Sequence, residues 1–115
     1  MSLRTEAKLV KANEILATVK ANLSAISTQD LDHMKKFVSA ATDFFGGVTE
    51  ITTDNASEVQ RRLIELPKPY QSEIFALLVE AGAKDKDFRQ LHDIVHDVAR
   101  VSMACELVMV SSSRD

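Results

Sequence analysis

Residues 86–110 read KDFRQLHDIVHDVARVSMACELVMV, the longest uninterrupted helical pattern in the chain, with two of its three histidines. Phe88, Leu91, Val95, Val98, Ser102, Cys105 and Met109 recur at alternating steps of three and four, which places them on one stripe of a helix facing a core. Ile94, Val101 and Val108 widen that stripe, while Arg89, Asp93, His96, Asp97 and Arg100 fall on the opposite side, toward water or a partner. Asp85 or Asp87 suits the N-cap, and residues 111–115 (SSSRD) form a polar tail expected to fray.

Moving upstream, Pro69 can open a helix over about 70–81 with Ile74, Leu77, Leu78 and Ala81 inward and Gly82 as its C-cap. Pro67 and Pro69 end the helix before it, because proline lacks an amide proton and biases the preceding residue away from helix. That earlier helix starts near Asn55, with Glu58 three residues on as a capping partner, and its stripe is Ala56, Val59, Leu63 and Leu66 with Ile64 alongside. Residues 48–53 (VTEITT) are β-branched enough to resemble a strand, but no second strand is available to pair, so they are read as a connector or a first turn.

Gly46-Gly47 should end a helix over about 29–45 by taking the left-handed conformation, with Leu31, Met34, Val38, Ala41 and Phe45 on its stripe and Phe37 and Phe44 beside it. Ser27 and Asp30 look like a capping pair that separates this helix from the first, over about 3–26, the alternative being one helix that runs straight through. Leu9, Ala12, Leu16, Val19, Leu23 and Ile26 there keep a narrow three-four seam like a coiled-coil edge, with Lys8, Lys11, Asn13, Lys20 and Asn22 around it. The expected architecture is all-α: a single domain over 1–115, an antiparallel helical bundle of four long helices plus one short helix, closed or extended by dimerisation. Leu9, Leu16, Val19 and Leu23 are the expected interface, and the partner is protein, with a homodimer foremost.

With 115 residues the chain can bury a core without staples, and one Tyr, no Trp and five Phe leave that core mainly aliphatic. A net charge of −3 gives no overall cationic field, so nucleic acid and anionic membrane are not expected partners. The pairs Lys35-Lys36 and Arg61-Arg62 read as solvated helix faces. Charged residues at Arg4, Glu6, Lys8 and Lys11 occupy the place where a signal peptide needs an apolar run, and a cytoplasmic location is expected. Cys105 lies within the apolar stripe and is expected to pack as a small hydrophobe, and Met34, Met103 and Met109 are read as core filler.

Chemistry is conceivable at one place. His92 and His96 stand one helical turn apart, so both imidazoles can face one divalent metal, which is the sole cofactor the sequence suggests. A zinc site needs further ligands, for which His33 or a carboxylate of the second helix is the candidate. Asp93 stands where the metalloprotease pattern has its glutamate base.

A histidine midway along a long helix of a small all-helical domain also resembles the histidine phosphotransfer modules, and the resemblance implies a phosphoryl group carried on His92 or His96. Those modules place lysine and glycine at the third and fourth positions after the histidine. Here these positions are Val95 and His96 after His92, and Ala99 and Arg100 after His96. The run from Asp87-Phe88 to Val95 resembles a helix of the chemotaxis phosphatases, but Gln90 and Ile94 stand where that family has its acidic residue and glutamine, so no activity is implied.

No phosphate-binding glycine loop, di-iron spacing or Ser-His-Asp signature is present. The reading is therefore a non-enzymatic helical-bundle interaction module. Its alternative is histidine-based signalling or metal binding through His92 and His96.

Overall fold

Ser2 starts the first helix, α1 (Leu3–Ala25), as an N-cap: its Oγ accepts the Thr5 amide at 3.2 Å and its carbonyl accepts the Glu6 amide at 3.1 Å. The computed structural model describes residues 2–25, 35–72, 74–75 and 86–115, with backbone alone over 86–91. Among these residues all regular structure is helical, so the all-α expectation holds. Beyond α1 the elements are α2 (Lys35–Gly46), α3 (Ala56–Glu65), a 3-10 turn (Lys68–Tyr70) and α4 (Lys86–Ser113). Tyr70 closes the 3-10 turn and Gln71, Ser72, Ile74 and Phe75 are helical, while position 73 and positions 76–81 of the helix expected over 70–81 lie outside the described residues. So do the Ser27–Asp30 cap, Leu31, Met34 and the expected break between the first two helices.

The two long helices run antiparallel. Thr5 near the start of α1 meets Ser111 near the end of α4, and Asn22 near the end of α1 meets Asp97. The row Ala12, Leu16, Val19 and Leu23 is buried against the core as its spacing demands, joined by Ile15 and Thr5. Helix α3 also packs on α4, and α2 packs on α1. Phe37, Val38, Ala41 and Phe45 come in from α2, and Ala56, Val59 and Leu63 from α3. Phe37 meets Tyr70 edge-on, with ring centroids 5.7 Å apart. Ile64, expected beside the α3 stripe, is half exposed.

Helix α4 buries Ile94, Val98, Val101, Cys105 and Val108, all placed inward by their spacing, but is turned slightly from its expected setting. Ala104 joins the buried row, while Val95, Ser102 and Met109 are only partly buried. Several apolar rows lie side by side on this helix, and periodicity alone does not choose between them. Contact with both α1 and α3 does. The rotation draws in Asp97, expected in water but only 6% exposed, where Asn22 Nδ2 donates to one carboxylate oxygen at 2.8 Å and Arg100 lies 3.5 Å from the other.

The end of α4 is also better attached than a polar tail suggests. The helix continues through Ser113, and Ser111 is buried. Thr5 Oγ1 donates to the Asp115 carboxylate at 2.7 Å, so across the 2.9 Å contact Ser111 must be the donor to Thr5. The Ser2 hydroxyl foremost, then the Thr5 hydroxyl and the Ser2 amide, hold the Asp115 carboxyl below the usual aspartate value. A depressed folded value stabilises above the unfolded value and loses that stabilisation as pH falls through the folded one. A carboxyl NMR titration should therefore find Asp115 titrating below the usual aspartate value, and Thr5→Val should return it toward that value.

The connector 47–55 is held by side chains of α1. Val48 and Ile51 are buried, and Asn13 bonds Ile51 twice: its Oδ1 accepts the Ile51 amide at 2.8 Å and its Nδ2 donates to the Ile51 carbonyl at 3.0 Å. Lys20 Nζ donates to the Val48 carbonyl. The expected forward cap at Asn55 is absent. Its Oδ1 accepts the Thr52 amide at 2.8 Å and its Nδ2 donates to the Glu50 carbonyl at 2.8 Å, so the side chain closes the connector instead of the helix.

Glycine ends α2 at the expected place by an unexpected geometry. Neither Gly46 nor Gly47 takes a left-handed φ, and three-residue closures from Gly47 and Val48 to the Phe44 and Phe45 carbonyls tighten the last turn. A Cβ on Gly46 would meet nothing within 4 Å. Gly46→Ala should therefore stabilise the protein by about 0.4–1 kcal/mol, because alanine has fewer unfolded conformations to lose. Urea denaturation checks this, and destabilisation would mean that the position needs glycine's conformational freedom.

Candidate functional site

The side of the α1–α4 pair that the core does not use is apolar over the last turns of α4. Met103, Leu107 and Val110 recur at steps of four and three on α4, and their exposures are 67%, 49% and 38%. Leu3 and Val10 are also exposed on α1. Between the helices lies a groove of about 320 Å³ lined by Ala7, Lys8, Lys11, Ile15, Arg100, Met103, Ala104 and Leu107. Buried Ile15 and Ala104 make its floor, and Met103 and Leu107 form one wall.

The polar groups of the groove are three cations. Lys8 is half-buried, so its stem adds apolar cover while its ammonium reaches the rim. Lys11 lies 3.9 Å from Glu14 with both side chains largely in water, a pair that holds neither firmly. Arg100 is anchored by Asp97 at 3.5 Å and has further donors in its planar fork.

The expected interface residues lie elsewhere. Leu16, Val19 and Leu23 are 3%, 1% and 7% exposed within the single chain, and Leu9 is partly buried against the same core. The narrow seam of α1 is thus occupied by the protein's own helices. Met103, read from the sequence as core filler, is instead two-thirds exposed, and Leu107 stands beside it in a row that the sequence reading did not single out. Their signal was a second row of apolar residues at helical spacing, on the far side of α4 from the first.

His92 and His96 share one exposed side of α4, with ring centroids 6.2 Å apart and planes 16° from parallel. His92 Nδ1 lies 3.8 Å from Asp93 Oδ1. Among the described residues no group of three or more His, Cys, Asp or Glu side chains could hold a metal ion, and His33 lies outside them. Cys105 is fully buried, and burial pushes its thiol up to about 11, so it is protonated at neutral pH and poorly placed as a nucleophile.

No known protein family, curated protein or solved structure matches the chain.

The two basic pairs border neighbouring depressions on the α2–α3 side that share Ala40, Asp43 and Tyr70. Arg62 lies over the Phe44 ring at 5.1 Å, and Asp43 and Glu65 stand among the cations, so the charge there is mixed. Among the described residues no helix is long and apolar enough to cross a membrane.

Proposed function

We propose that this protein is a non-enzymatic interaction module that binds another protein chain across the outer face of α1 and α4. The observation that carries the reading is the exposed row Met103, Leu107 and Val110 beside an apolar-floored groove. Contiguous apolar surface on a water-facing helix costs solubility unless something covers it, and helices are commonly recognised through such rows. A second copy of the chain is one candidate partner, and a cytoplasmic setting suits the lone buried thiol.

Photocrosslinking in the cells that make the protein tests the reading, with the reactive side chain placed at Leu107 or, as a control, at Glu50 in the exposed connector. A discrete adduct from position 107 and none from position 50 is expected. Equal or absent adducts would remove the interaction module.

The near-parallel His92 and His96 rings motivate a second reading, in which the same helix carries a metal or a phosphoryl group. Native mass spectrometry after incubation with zinc or with acetyl phosphate decides it. A stoichiometric mass increment that disappears in His92→Gln/His96→Gln supports this reading, and no increment in the unmodified protein ends it.

A further inference from the structure

We infer that the α1–α4 groove takes an acidic amphipathic helix of a different protein, an inference that rests on the interaction-module reading above. The groove follows two antiparallel helices between Ala7 and Ile15 on α1 and between Arg100 and Leu107 on α4, so an elongated element lying along it meets apolar side chains over about two helical turns. Lys8 and Lys11 lie three residues apart on one lip, and Arg100 lies on the other. A docked helix that points one apolar row at Ile15, Ala104 and Leu107 therefore presents its flanking positions to cations on both sides. Glutamate or aspartate satisfies those positions, and lysine or arginine is repelled. The acids beside these cations, which lie outside the groove lining, weaken this field only in part: Glu14 is largely solvated beside Lys11, while buried Asp97 is also engaged by Asn22.

Charge also separates this partner from a second copy. A symmetric dimer on this face would bring the same patch against itself, placing Lys8, Lys11 and Arg100 of one copy near those of the other. Like charges at close range disfavour that pairing, although the protein as a whole carries a net charge of −3. The cationic rim is thus local, and it selects by sign in a molecule whose overall field would otherwise repel an acidic partner.

The probe is a labelled synthetic helix with leucines on one row and glutamates flanking it, compared with its lysine-flanked counterpart and with a version whose leucines are serine. Fluorescence anisotropy at low salt should show the glutamate helix binding at least about tenfold tighter than the lysine helix, and the serine version failing to bind. Lys8→Glu/Lys11→Glu should reverse the preference, and Met103→Ser/Leu107→Ser should abolish binding, with circular dichroism confirming that both variants fold. Equal binding of the two leucine helices, lost in Met103→Ser/Leu107→Ser, would overturn the acidic partner and leave the interaction module standing. No saturable binding of the glutamate helix would also overturn the inference, whereas only the crosslinking result from position 107 bears on the module itself. A dimer whose dissociation is caused by Met103→Ser/Leu107→Ser would replace the acidic helix with a second copy.

Discussion

Leu16→Asp is expected to abolish cooperative folding. Leu16 is 3% exposed in the middle of α1, within the cluster that includes Ala12, Val19 and Val101. Truncating a buried leucine side chain alone costs about 2–5 kcal/mol, and an unpaired buried carboxylate adds several more or must take up a proton. The total rivals the roughly 5–15 kcal/mol that stabilises an ordinary domain. Circular dichroism melting should show no native transition at neutral pH and partial recovery in acid, where the carboxyl is neutral. Leu107→Asp is the matched control, since its side chain is already half in water and the change should cost less than about 1 kcal/mol. If Leu16→Asp instead stayed folded and merely halved the native mass, the α1 seam would be a contact between chains and not the core of one.

That contrast shows how far helical periodicity can be read. On α1 the polar positions leave one continuous apolar row, so Ala12, Leu16, Val19 and Leu23 follow directly from their spacing and are buried. Periodicity says that such a row must be covered, but it is silent on whether the cover belongs to the same chain. On α4 apolar residues occupy several rows, and the inward one is selected by packing against α1 and α3, which no local pattern encodes. Asp97 and Met103 exchange their expected places for this reason: the aspartate is carried inward toward Asn22, and the methionine outward. The histidine pair was legible because one turn is a local relation, and the structure keeps both rings on one exposed side. The groove was not, because its lips come from helices about ninety residues apart along the chain.

Asn13→Ala should cost about 2–4 kcal/mol, far more than a polar residue among lysines on an amphipathic helix suggests. The Asn13 side chain reproduces the paired donor and acceptor of a neighbouring strand for Ile51, whose own side chain is 1% exposed. Alanine leaves the Ile51 amide and carbonyl without these partners in a place where water has limited access, and each buried orphan costs about 1–3 kcal/mol before relaxation. Asn13→Asp keeps the acceptor for the Ile51 amide but opposes a carboxylate to the carbonyl, so it should also destabilise. Urea denaturation measures the loss, and hydrogen exchange locates it, because the Ile51 amide should lose protection before the amides of α4. A stability within about 0.5 kcal/mol of the parent would mean that water replaces both bonds at little cost, and that the connector is held by burial of Val48 and Ile51 alone.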